Sequence, residues 1–547
     1  MDVLRHNFVS VLPDIQANIT SCDLISIDTE LSGLRKGSGG HMFDDHQERY
    51  TKIRQSCMDY SIIQFGLTCF TRQEDNEHYK SKSYNVYIFP YKIYGLQKQP
   101  ERNIELQTSA ISFLRNHGFD FNYLFDGGLC YLTAEEEAVC LKMMRDQEEK
   151  DRTKEMISVP EEHKEFISDC ILQVNRFLED KDASQLDLPS CNPFLRKLLY
   201  EALSVNKYRD QLDVNTRTSS QTGRDCFLSI TKTSREERLE KQEQLLTEAA
   251  GFSRILRAIS SSKKPVIGHN LFLDILHSVG QFMTSNLPES YQDYKEMVHS
   301  LFPVFYDTKF ISSTAALKPI LGNCSLEELY TNLSQDPFPR IIIEDDDGMD
   351  QASYHQAAYD SFITGHCFIA MNNFLQNKFD PKKACVDCIG PEIKRFINKL
   401  HLTYSFDLDH YDFGGPDVKL SRETILHFTF PAEWNNSHLN QLFSPFGHVK
   451  TQWINDTSIL VGFQDPSRVP AFKKSFKDKD SSVLITSYEE FKRQKQEEKA
   501  RDSVKRSVVS LTPVLKRVRV DTPCIQLKTP EEKSDKKPQS FPEGSDW

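Results

Sequence analysis

Runs of β-branched and aromatic residues bounded by turn formers predict strands over 23–31, 62–69, 84–90 and 265–268. Apolar positions spaced three and four apart predict helices over 108–116, 271–283 and 356–374. Strands alternating with helices imply an α/β core. Two strongly charged stretches interrupt it, 141–158 and SREERLEKQEQLLTEA at 234–249, with a compact helical pattern from Pro160 to about Asn206 between them.

After a helix expected over 391–402 the order changes to strand 424–430, helix 437–444, strand 448–455, strand 457–463, helix 467–476 and strand 481–486. This βαββαβ succession is the pattern of a small α+β RNA-recognition domain, an RRM-like unit over 420–495. From 498 to 547 the chain turns polar and Pro- and Lys-containing, a composition expected to stay disordered. Within it, 501–520 sets six basic side chains against the single acid Asp502, a pattern that resembles a nuclear-localisation tract.

At 547 residues the chain exceeds what one core usually holds, so several domains are expected. A net charge of −12 speaks against indiscriminate phosphate binding and confines any nucleic-acid site to a local basic groove. No apolar run approaches the roughly 18 residues of a membrane span, and no secretory signal is visible, which points to an intracellular protein with no membrane partner. Thirteen cysteines show no repeated metal-ligand spacing. The lone Cys385/Cys388 pair reads as reduced thiols, not zinc or redox chemistry.

Five residues carry candidate chemistry. Asp28 and Glu30 in ISIDTELSG are two apart on a predicted strand, so their carboxylates share a face. Asp274 lies six residues after Gly268 in GHNLFLD, where a buried strand gives way to a helix. Asp360 opens an apolar helix in which an unpaired acid would be costly, and His355 precedes it by five residues. Oxygen ligands for hard divalent cations together with a base are what hydrolysis of a phosphodiester requires. The acids also define the domains: a small helical insert over 159–228 splits a core of 1–158 and 229–405, since candidate carboxylates flank it.

The joint order D-x-E, GHNxxxD, HxxxYD resembles the DEDD superfamily of 3′-to-5′ exonucleases, in the subclass whose base is histidine. Longer stretches, among them ERYTKIRQSCMDYSIIQFGL, GFSRILRAI and KPVIGHNLFLDILH, resemble the poly(A)-specific ribonuclease family over about residues 1–490. That resemblance implies an RNase H-like core of a mixed sheet flanked by helices. It implies that Asp28, Glu30, Asp274 and Asp360 bind two Mg²⁺ ions, that His355 takes the water's proton, and that 5′-AMP is released from poly(A) tails of mRNA. It further implies that Lys309 in DTK contacts a phosphate, that Trp453 in TQWIND stacks on the 7-methylguanosine cap, and that the protein is a homodimer of nucleus and cytoplasm. Leu31 departs from the phenylalanine expected after the catalytic glutamate. The insert resembles an Arg-x-x-x-His nucleic-acid-binding domain, with Arg196 in place but Tyr200 at the histidine position. Trp434 in PAEWNN reads as packing.

Two other readings stand beside the deadenylase. One is a small-RNA 3′ trimmer of the same family, anchored by a C-terminal membrane helix; the ending PQSFPEGSDW carries no such helix. The other is a non-catalytic RNA-binding adaptor, against which the full set of acids speaks.

Overall fold

A computed structural model describes residues 1–509 apart from 35–39, 75–77, 154–157, 205–207, 209–210, 219–225, 346–354, 380–387, 419 and 477–482. Cys385 and the basic residues beyond 509 lie outside the described residues. The chain divides into two compact units. The first comprises Met1–Gly40, His46–Thr403 and Asp409–Pro416; the second comprises His41–Asp45, Tyr404–Leu408 and the chain from Asp417 onward.

In the first unit the strands β1 (Asp2–Val3), β2 (Leu24–Leu31), β3 (Ile62–Arg72) and β4 (His78–Tyr87) come first. Strands β5 (Gln185–Asp187), β6 (Leu212–Thr218) and β7 (Cys226–Lys232) belong to the insert. The core resumes with β8 (Val266–Gly268), β9 (Phe305–Asp307) and β10 (Ile342–Asp345). The main sheet runs β1-β4-β3-β2-β8-β9, with β10 also on β4. It is mixed: β2–β3 and β3–β4 are antiparallel, and the remaining pairs are parallel. β3 is buried over its first nine residues, as a strand covered on both faces must be.

Helix Ala357–Phe379 lies across this sheet. Its approach depends on small residues at the contact. A Cβ on Gly365 would stand 2.2 Å from the Phe70 ring. The Ser26 hydroxyl donates to the Ser361 carbonyl at 2.6 Å, and Thr68 bonds the Ser361 hydroxyl at 2.7 Å. A buried cluster including Leu24, Phe70, Tyr306, Cys367 and Met371 fills the same side.

The insert has its own core, in which Ile167, Val174 and Phe177 of helix Lys164–Glu179 meet Leu198, Leu228 and Ile230. It is not the helical domain expected from sequence: β5, β7 and β6 form a three-stranded antiparallel sheet, and β7 runs to Lys232, past the expected boundary at 228. The alternation in CFLSITK spans that boundary and was masked by the charged helix beside it. The helix expected over 391–402 is likewise shorter. Only Pro391–Lys394 is helical, and β11 (Lys399–His401) pairs with β12 (His410–Asp412), because Asn398 at φ 57° ends the helical path.

The second unit has strands β13 (Ile425–Thr429), β14 (Val449–Asn455), β15 (Ser458–Phe463) and β16 (Leu484–Ser487), in the order β14-β15-β13-β16 and all antiparallel. Helices Asn436–Phe443 and Arg468–Phe476 contribute Leu439, Phe443 and Phe472 to a cluster with Phe428, Ile459 and Val461 on one face. Helix Tyr488–Val509 continues past 498, where disorder was expected.

Candidate active site

The antiparallel ladder puts Asp28 opposite Gly66 and Glu30 opposite Gln64. Strand alternation directs Asp28 and Glu30, with Ser26, toward helix Ala357–Phe379. Asp360 sits in the first turn of that helix. Carboxylate oxygens of Asp28, Glu30 and Asp360 all lie within 4.8 Å of one another, although the chain separates β2 from the helix by more than three hundred residues.

Asp274 arrives from another direction. β8 pairs with β2 only at Ile25 and Ser26, so the edge of β2 beside Asp28 and Glu30 is left open after Gly268. The GHN turn, with Asn270 left-handed at φ 59°, feeds helix Phe272–Ser278, whose first turn carries Asp274 to that edge. There Asp274 Oδ1 accepts a 2.5 Å hydrogen bond from the Thr29 hydroxyl. Asp274 lies outside the trio of clustered carboxylates.

The turn is held by a residue that sequence reasoning missed. Asp307, fully buried at the end of β9, accepts five backbone N–H bonds: Asn270 at 2.9 Å, Leu271 at 3.2 Å, Lys309 at 2.9 Å, Phe310 at 3.3 Å and His401 at 2.8 Å. One carboxylate thereby ties the GHN turn, the DTK turn and β11 together. Its only signal in sequence is an acid ahead of a short helix, an N-cap pattern too common to single out.

His355 stands two residues before its helix at φ 66°, a region that non-glycine residues enter at a cost of about 1 kcal/mol. Its backbone amide donates to Asp360 Oδ2 at 3.1 Å. Its ring meets Phe113 at 4.9 Å and His117 at 4.1 Å between centroids. The Phe113 carbonyl can only accept, so His117 carries its proton on Nδ1 in the 2.8 Å bond between them.

Electrostatics single out the same residues. Burial pushes the Asp28 and Glu30 carboxyls well above their ordinary range, and repulsion from Asp360 and Asp274 adds to it. Asp274 and Asp360 are each pushed up to about 7, chiefly by burial; the Thr29 hydroxyl partly offsets this for Asp274, as the His355 amide does for Asp360. Burial lowers His355, and His117 lowers it further. None of the four acids pairs with a lysine or arginine among the described residues. Gathered acids with raised pKa values and no cationic partner are a donor set suited to hard divalent cations, whose charge would remove both the repulsion and the desolvation cost.

Elsewhere the Lys309 ammonium donates to the Cys324 carbonyl at 2.7 Å; burial lowers His269 and His401, and the nearby Lys309 lowers both further. Arg196 is spent on structure, donating to the carbonyls of Cys191 and Cys226, and Tyr200 bonds Thr216 on β6 at 3.0 Å. Trp453, 37% exposed on β14, donates to Asn436 at 3.1 Å and meets the Phe430 ring edge-on. Trp434 stacks against the same Phe430 ring. In the second unit the sheet face opposite the two helices is closed by Phe43, Phe406, Tyr488 and Phe491, packed with Ile425 and Leu460.

Comparison with known proteins yields matches over both units. The model of the CAF1 family ribonuclease matches residues 3–368, and that of an RNA binding domain matches residues 415–494. The chain is 36% identical over 530 residues to poly(A)-specific ribonuclease PARN of Xenopus laevis, covering 91% of this chain and 82% of that protein. It is 36% identical over 531 residues to the Homo sapiens protein of the same name, covering 91% and 81%. To the pre-piRNA 3′-exonuclease trimmer of Bombyx mori it is 27% identical over 447 residues, covering 78% and 81%.

Proposed function

Because the chain belongs to the CAF1 ribonuclease family and is similar over nine-tenths of its length to poly(A)-specific ribonucleases, we propose that it is a 3′-to-5′ exoribonuclease that shortens the poly(A) tails of mRNA. Water attacks the last phosphodiester, the bond from phosphorus to the 3′ oxygen breaks, and 5′-AMP leaves an RNA shorter by one nucleotide. The observation that carries this reading is the meeting of Asp28, Glu30 and Asp360 within 4.8 Å, with His355 bonded to Asp360 through its amide.

Asp28, Glu30, Asp274 and Asp360 would hold two Mg²⁺ ions. Divalent cations bound there supply positive charge that eases ionisation of the attacking water and stabilises charge developing on the departing 3′ oxygen. His355 accepts the water's proton; burial keeps its imidazole neutral near pH 7, the form a base needs. Lys309, held by the Cys324 carbonyl, contacts a phosphate of the substrate. Trp453 takes the 7-methylguanosine cap on its exposed indole face, where stacking and cation–π attraction contribute about 1 to 3 kcal/mol. The enzyme acts as a homodimer in nucleus and cytoplasm. No helix among the described residues is long and apolar enough to cross a membrane.

The test is digestion, with Mg²⁺, of a 5′-labelled capped RNA ending in adenosines beside the same RNA ending in uridines. A ladder confined to the adenosine tail, and lost in Asp28→Ala, is expected. Equal trimming of both tails indicates a general 3′ exonuclease such as a trimmer, and binding without cleavage indicates an adaptor.

A further inference from the structure

Thr29 sits between Asp28 and Glu30 on β2, and the alternation that turns its two neighbours toward helix Ala357–Phe379 turns Thr29 the other way. On that face its half-buried hydroxyl donates to Asp274 Oδ1 at 2.5 Å. The reach is possible because β8 ends early and leaves the β2 edge open, so that Asp274 lies beside the strand, not above one face. Asp28 and Glu30 are positioned by their strand, and Asp360 by its helix and the His355 amide. Asp274 comes from a seven-residue helix after a left-handed turn, and its carboxylate is tied to Thr29 through both the hydroxyl, at 2.5 Å, and the backbone amide.

We infer that Thr29 is a positioning residue for the cation site: its hydroxyl, with its amide beside it, fixes the orientation in which the Asp274 carboxylate offers its remaining lone pairs to a divalent cation. The inference rests on the two-cation reading proposed above. A hydroxyl can donate to only one oxygen here, and an ionised carboxylate accepts on both, so the bond selects an orientation without using up the ligand. It also preserves the asymmetry of the site. Three carboxylates meet within 4.8 Å, while the fourth, near enough to repel Asp28 and Glu30, is tied to a residue of the same strand. Hydrogen bonds of this kind to ligating carboxylates typically decide 10- to 100-fold in metal affinity.

Thr29→Val keeps the shape and the β-branching and removes the donor; Thr29→Ser keeps the donor. Calorimetric titration of the full chain with Mg²⁺, without RNA, is expected to show about 10-fold or greater weakening of the weaker binding step in Thr29→Val. Affinity in Thr29→Ser stays within about 3-fold of the wild type, since the donor is retained. With capped poly(A) RNA at saturating Mg²⁺, kcat is expected to fall in Thr29→Val with KM for RNA unchanged. Thermal melting of the cation-free proteins separates this from a folding defect. Wild-type Mg²⁺ affinity in Thr29→Val, whether or not its melting temperature falls, overturns the role given to Thr29. Absence of Mg²⁺ binding by the wild type overturns the cation-site reading together with the inference that rests on it.

Discussion

Gly66 and Ala357 meet so closely that a Cβ on Gly66 would lie 1.8 Å from the Ala357 carbonyl oxygen. Gly66 is also the residue facing Asp28 across the β2–β3 ladder, so the contact brings the first turn of helix Ala357–Phe379, and Asp360 with it, down onto Asp28. The Gln64 side chain accepts the Ala357 amide at 3.1 Å and pins the same turn. Gly66→Ala must lift the helix or bend the strand. Overpacking of this kind costs about 1 to 3 kcal/mol, and a loss of that size in urea denaturation is expected together with loss of nuclease activity.

Asp307→Ala is expected to do more damage than removal of any one cation ligand. Five backbone amides converge on its carboxylate, two of them in buried and three in partly buried bonds, and each buried one left unpartnered costs about 1 to 3 kcal/mol before relaxation. Loss of roughly 4 kcal/mol or more in chemical denaturation is the expected outcome. Asp28→Ala, by contrast, should abolish cleavage while leaving the fold intact.

Cation removal should make stability depend on pH in a defined direction. Asp274 and Asp360 are raised from the ordinary 3.8 to about 7, so the folded chain holds protons that the unfolded chain has released between those values. The stability contributed is full below about pH 4 and is lost as pH rises through about 7. Without divalent cation at pH 8, Asp360→Asn is expected to melt at a higher temperature than the wild type, since it removes a repelled charge and keeps an acceptor for the His355 amide. Saturating Mg²⁺ reverses the order. Differential scanning fluorimetry at pH 5 and pH 8, with and without Mg²⁺, reads both effects.

His117 bears on the proposed base. Burial and His117 both lower His355, so removing His117 should raise the His355 pKa toward the ordinary 6.5. The acid limb of the kcat/KM profile is expected to move to higher pH in His117→Ala. His355→Ala should retain a weak activity that has lost this limb altogether.

Trp453 and Trp434 should separate binding from packing. Trp453 is exposed at the rim of its cluster, so Trp453→Ala is expected to lose affinity for 7-methyl-GTP by 10-fold or more, corresponding to about 1.4 kcal/mol, with little change in melting. Trp434 stacks on Phe430 within the cluster, and Trp434→Ala should destabilise the second unit by about 2 kcal/mol.

The proposed ligands Asp28, Glu30, Asp274 and Asp360 and the proposed base His355 stand out in the sequence because short-range context marks them: a DxE on a strand, an acid after GHN, an acid opening an apolar helix. The βαββαβ order of the second unit was legible for the same reason, since turn residues and period-two alternation are local signals. Other features were decided only in three dimensions. Whether β2 has an open edge depends on where β8 stops, and only then can Thr29 reach Asp274. Five amides from three segments converge on Asp307 through pairings that no local pattern encodes. The three-stranded sheet of the insert was missed because two of its strands are short or flanked by highly charged helix, where composition outweighs alternation. Residue type and spacing along the chain determined the chemistry; long-range packing decided which oxygens meet, how each is held, and how far each is driven from its ordinary pKa.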